Sequence, residues 1–186
     1  MRRHLIRLFA PLAAIVACLF TTPAHAAGGL AGIDLMTATV FQEGQSSFSG
    51  LGLRFRVRNA RLLENVEILP TVEYWRNSSS LDAFGLNVVR RDATLGADIR
   101  WIFEGTAWRA YAGGGMAVHF LSSKLRVGAP VTLDEHDSLT KGGLALLGGV
   151  WFGDKSSKIV NFLEAKGHLV GGYRQVKLNM GIGWNR

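Results

Sequence analysis

Along residues 51–58, 66–75, 93–103 and 176–184, one row of alternate positions is apolar and the other gathers glycines and most of the strand charges. A period of two is the mark of extended strands with two unlike faces. Within 48–58, Leu51, Leu53, Phe55 and Val57 share one face, and Gly50, Gly52, Arg54, Arg56 and Arg58 the other. Over 66–76, Val66, Ile68, Val72 and Tyr74 oppose Glu67, Thr71 and Glu73, with Pro70 tolerable only at an edge or an irregularity. Over 93–103, Leu95, Ala97, Ile99, Trp101 and Phe103 oppose Thr94, Gly96, Asp98 and Arg100.

Extended to the whole chain, the pattern predicts eight strands: 30–41, 48–58, 66–76, 93–103, 107–121, 140–152, 158–168 and 174–184. The connections 77–92 and 122–139 read as long loops, the first with room for a protruding hairpin through 84–89. No apolar run beyond the first 26 residues approaches the length of a spanning helix, so a membrane role requires strands, and strands of about ten residues cross a bilayer when tilted. The fold class expected is all-β: an eight-stranded antiparallel up-and-down transmembrane barrel, whose even strand number suits alternating long outer loops and short inner turns.

Alternation alone leaves open which face is inside, because a soluble periplasmic lipocalin-like barrel has the same period with the faces exchanged. Two features favour an enclosed charged row. Glycines 50, 52, 96, 113, 115, 143, 149, 181 and 183 fall on it, and strand glycines weaken a sheet unless something crowds the backbone, as in the narrow interior of eight strands. The row also balances its signs: Arg54, Arg56, Arg58, Arg100, Lys166 and Lys177 face Glu67, Glu73, Asp98 and Glu164, and buried charges persist only when paired. Strands two and three are expected to set arginines opposite glutamates. With His119 and His168, these side chains form the predicted lumen network. Phe41, Tyr74, Trp75, Trp101, Phe103, Trp108, Phe120, Trp151, Phe152, Tyr173 and Trp184 lie mostly near strand ends, where interfacial girdles sit.

The start of the chain fits export. Arg2, Arg3 and Arg7 precede the apolar run 8–20, and Ala24-His25-Ala26 gives a small-residue cleavage site, so 1–26 reads as a signal peptide and 27–186 as the barrel domain. A lipoprotein box at Ile15-Val16-Ala17-Cys18 is the rival reading. Three of the 21 basic residues and none of the 14 acidic ones lie in that segment, so the precursor's charge of +7 falls to +4. With no basic cluster among exposed aromatics, the charge gives no reason to expect nucleic acid. Cys18 is the only cysteine, so a processed chain has no disulfide and relies on its hydrogen-bonded sheet.

Tyr111-Ala112-Gly113-Gly114-Gly115-Met116-Ala117-Val118-His119-Phe120, Asn161-Phe162-Leu163-Glu164-Ala165-Lys166 and Gln175-Val176-Lys177-Leu178-Asn179-Met180-Gly181-Ile182-Gly183-Trp184 resemble small Gram-negative outer-membrane β-barrels, the group containing the OmpA transmembrane domain, OmpX and OmpW. As a pattern the resemblance covers 30–184. It implies residence in the outer membrane among lipid and lipopolysaccharide, as a monomer. It also implies an assembly signal read by the barrel-insertion machinery, here Val176, Leu178, Met180, Ile182 and Trp184, with the departure that Asn185 and Arg186 follow the aromatic residue.

Candidate chemistry is sparse. Side chains fill so narrow an interior, which argues against a general porin. Gly113-Gly114-Gly115 lacks the Lys and Ser or Thr of a phosphate loop. Some membrane barrels acylate or deacylate lipid A, which needs a serine, a histidine base and an orienting acid in reach of one another; His119 with Ser122 or Ser123 is the one arrangement to weigh, and its spacing is wrong. Asp134, Glu135, His136 and Asp137 could offer oxygen ligands, but consecutive residues rarely converge on one ion. We therefore expect no catalytic residues, no metal and no cofactor, and a structural or surface-interaction role through the outer loops, with a lipid A-modifying enzyme as the alternative activity.

Overall fold

The computed structural model describes residues 28–59, 65–81, 86–103, 105, 108–127, 134–154 and 156–186; the predicted signal peptide lies outside them. Eight antiparallel strands, β1 (Gly28–Gln42), β2 (Phe48–Asn59), β3 (Val66–Leu81), β4 (Leu86–Phe103), β5 (Trp108–Val127), β6 (Asp134–Phe152), β7 (Ile159–Val170) and β8 (Tyr173–Asn185), form a closed barrel in chain order. β8 closes on β1 from Gln175↔Gln42 to Asn185↔Gly32, so no open sheet edge is left to face lipid. Pro70 sits where the β2–β3 register is interrupted between Arg54↔Thr71 and Val57↔Ile68, which spares the ladder its missing N–H.

The register sets the barrel's shape. From Gly32 the ladder steps to Arg56, which the unchanged register on either side of the β2–β3 gap sets level with Leu69, then through Asp98, Gly115, Ala145, His168 and Gln175, and returns to β1 at Gln42, ten residues further along. A stagger of about 33 Å against eight strands at about 4.8 Å tilts the strands by about 40°.

The apolar row faces outward. Leu51, Ile99, Met116, Leu146, Leu163 and Met180 are among the large exposed hydrophobics, Leu146 reaching 75% exposure. The outward positions of β1 to β8 carry no charged side chain from the Trp101, Phe103, Trp108, Phe152 and Trp184 belt up to the Phe41, Tyr74 and Phe120 belt. On β5, Trp108 and Phe120 are twelve residues apart, about 30 Å along the barrel axis after allowing for tilt, which matches a hydrocarbon core.

The two ends differ. Both termini of the barrel, Gly28 and Asn185, lie at the end of the lower belt, while the β3–β4 and β5–β6 hairpins rise past the upper belt. Opposite them the wall is low: β7 and β8 are joined through Gly171-Gly172, where Gly172 takes a φ of 101° that suits glycine. This corrects two expectations. Residues 77–81 and 86–92 are paired strand, not an extended loop, and 122–139 is mostly the continuation of β5 and β6. Above the membrane, water wets both faces, so Asn77, Ser78, Ser79, Ser122 and Ser123 keep the ladder but lose the hydrophobic contrast that marks a strand.

Candidate functional site

The inner row forms stacked layers of ion pairs. Nearest the lower end, Arg100 holds Glu67 through Nε and Nη2 at 3.1 and 2.7 Å, and half-exposed Arg58 donates to the same carboxylate at 2.8 Å. Next, Asp34 pairs with Arg56 Nε at 2.8 Å, while Arg54 donates two hydrogen bonds to Glu164 at 2.9 and 2.6 Å. Asn179 donates to Glu164 as well, at 2.9 Å. Above them Lys166 donates to Asp98 at 2.5 Å and Lys177 to Glu73 at 2.7 Å. Arg54, Arg56, Arg100, Lys166 and Lys177 are thus balanced by Asp34, Glu67, Glu73, Asp98 and Glu164, all at 2% exposure or less. Charges taken out of water this completely survive because each has an opposite charge beside it.

At the upper end the network becomes imidazole chemistry. His119 Nδ1 lies 2.9 Å from Asp92 Oδ2 and 3.1 Å from Thr94 Oγ1, and its Nε2 lies 3.3 Å from His168 Nδ1. Above this cluster, a vestibule of about 210 Å³ opens between Gln42, Gln45, Arg90, Asp137, Lys141 and Tyr173.

Aromatic rings fill the space between the layers. The Trp151 ring lies 4.0 Å from the Arg100 guanidinium, and the Trp75 ring 3.8 Å from Lys177 Nζ. Met36, Ile102, Tyr111, Leu147, Val160 and Phe162 cluster with Trp151. Three of these rings have a glycine directly across the ladder, Trp75↔Gly50, Tyr111↔Gly149 and Phe162↔Gly181, whereas Trp151 stands between Arg109 and Phe162. A Cβ at Gly149 would lie 2.6 Å from Tyr111 Cζ, so these positions are small because a neighbouring ring lies over them.

All the predicted lumen side chains except Arg58 are buried inside, but the partners differ from those expected. Only Arg58 and Glu67 face each other across β2 and β3; Arg54 lies opposite Thr71 and reaches Glu164 on β7, whereas Arg56 turns to Asp34 on β1. Trp75 and Trp151 are 1% exposed lumen residues, not girdle residues. His119 points inward while Ser122 falls on the outer row beside Arg91, so these two are not brought together; Ser123 is on the inner row with His119 but further up β5, between Arg90 and Asp137. The side chains of Asp134, Glu135 and His136 lie outside those described, and no group of three metal-ligating side chains occurs among the described residues. Sequence reasoning misses Asp34, Asp92 and Asn179, and it puts Thr94 on the inner row without its part in the His119 cluster. Asp34 lies on a largely apolar inner row with Met36, Ala38 and Val40, and Asp92 falls in the stretch 77–92 whose sequence reads as a loop.

An ion-paired interior, an uncharged exterior and aromatic belts a bilayer apart define a membrane-spanning β-barrel of the outer-membrane type, and the outer membrane is where it resides. No family model matches the sequence, and no curated protein matches it either. Solved structures do match. Neisserial surface protein A is similar over 86% of this chain and 99% of its own, at 14% identity and a TM-score of 0.60. Ail, the attachment invasion locus protein of Yersinia pestis, solved with the heparin analogue sucrose octasulfate, aligns over 84% of this chain and 97% of its own, at 14% identity and a TM-score of 0.59. A major outer membrane protein of Thermus thermophilus covers 84% of this chain and 99% of its own, at 12% identity and a TM-score of 0.60. At these identities the likeness is one of fold.

Proposed function

We propose that this protein is a closed, non-conducting, monomeric barrel that presents its β3–β4 and β5–β6 hairpins as a surface for interaction outside the cell, with outer-membrane lipid and lipopolysaccharide as its immediate partners. The observation that carries this is the stack of ion pairs from Arg58–Glu67 to Asp92–His119, interleaved with Trp151, Phe162 and Trp75. A lumen occupied this way has no through-going aqueous path, so activity is left to the rim, where loops on a rigid scaffold concentrate recognition. The outward row Val176, Leu178, Met180, Ile182 and Trp184 on β8 is the segment we assign to recognition by the insertion machinery.

Two measurements test the reading. The purified barrel in a planar lipid bilayer should give no stable conductance steps; a persistent open channel refutes the plug. Protease added to intact cells should cut within the two hairpins and spare the rest of the barrel; full protection of both hairpins refutes their role as a surface.

A further inference from the structure

Just above the upper aromatic belt, one outward row crosses four strands as Arg76↔Arg91↔Ser122↔Ser138. Both arginines are exposed, and among the described residues neither has a carboxylate within ion-pairing distance. Like charges directly opposite on neighbouring strands repel, so the pair is destabilising until an anion sits between the guanidiniums. One pleat lower, the row reads Tyr74↔Ala93↔Phe120↔Thr140, with Ala93 leaving a gap between two aromatic side chains directly beneath Arg91. Leu95 and Ala97 continue the outward row of β4 into the apolar band.

Resting on the outer-membrane reading above, we infer that Arg76 and Arg91 form a two-point site for the phosphate of an outer-leaflet lipid, with one acyl chain descending over Ala93 between Tyr74 and Phe120. Paired guanidiniums match phosphate oxygens in charge and geometry, and the Ser122 hydroxyl is the next donor along the row. The height of the row selects a lipid headgroup over a soluble anion, because the apolar notch beneath it is of use only to a molecule that has a tail.

The test uses native mass spectrometry of the detergent-solubilised barrel with bisphosphorylated lipid A, the same lipid with its phosphates removed, and inorganic phosphate. Intact heat-modifiable mobility establishes that each variant is folded. Wild type should retain the phosphorylated lipid, and Arg76→Gln/Arg91→Gln should bind it about 30-fold more weakly, since each cation near an anionic lipid surface contributes about fivefold. Ala93→Trp, which fills the notch and leaves both charges, should also weaken binding. Equal retention by the double variant, equal binding of the dephosphorylated lipid, or displacement of the lipid by inorganic phosphate at comparable concentration would each overturn the site. None of these outcomes bears on conductance or hairpin cleavage, so this inference and the proposed function fail separately.

Discussion

The Glu164 carboxylate is the most informative single perturbation. It accepts two hydrogen bonds from Arg54 and one from Asn179, and both members of the ion pair are fully buried. In Glu164→Gln the shape remains but the Arg54 guanidinium loses its counter-charge; the next carboxylate, Asp34, is 4.0 Å away and already engaged by Arg56. Breaking a buried pair from one side costs about 3–5 kcal/mol, whereas replacing both partners with apolar side chains of similar volume is close to neutral. Glu164→Gln and Arg54→Leu should therefore each destabilise by about 3–5 kcal/mol, and Arg54→Leu/Glu164→Leu by less than either. Guanidinium chloride unfolding in phospholipid vesicles, followed by the intrinsic fluorescence of the five tryptophans and by gel mobility before and after heating, measures all the variants. A loss below about 1 kcal/mol in the single variants, or simple additivity in the double, refutes the reasoning, because it makes this an exposed pair in a wet lumen.

The packing of rings over glycines gives a second expectation: a Cβ at Gly50 would enter the Trp75 ring, so Gly50→Ala should cost about 1–3 kcal/mol, and most of that cost should vanish in a Trp75→Leu background. The same unfolding assay reads both. Leu146, mid-band and outward, should lose about 2–4 kcal/mol as Leu146→Arg, while Asn161→Arg, level with the lower belt, should cost about 0–1 kcal/mol; equal penalties would remove the depth dependence that a bilayer imposes.

Much of the wall was legible because a bilayer outside and a packed lumen inside give opposite demands at successive residues. Leu51 to Arg58 and Val176 to Trp184 show the period undiluted, and the expected strands 48–58 and 174–184 differ by no more than one residue at either end from Phe48–Asn59 and Tyr173–Asn185. Where the contrast fades, so did the reading. Beyond the upper belt Arg90, Arg91, Ser122 and Ser123 meet water on both sides, and the paired strands there look like loops in the sequence. Partner choice was hidden for a different reason. Arg54 and Glu164 are 110 residues apart and meet across the lumen, a match set by the barrel's stagger and not by any local spacing. Alternation identified an inner row, yet only the register reveals that Trp75, Tyr111 and Phe162 stand opposite glycines, and so why those glycines are there.

Which row of the sheet meets lipid decides whether the barrel spans a membrane, and solid-state NMR of the labelled barrel in bilayers reads that directly through magnetisation transferred from acyl-chain protons. Transfer should reach the side chains of Leu53, Phe55, Ile99 and Leu178 and should leave those of Arg54, Arg100 and Lys166 unlit. Acyl signal on the arginines and the lysine, with those four hydrophobic side chains silent, contradicts it.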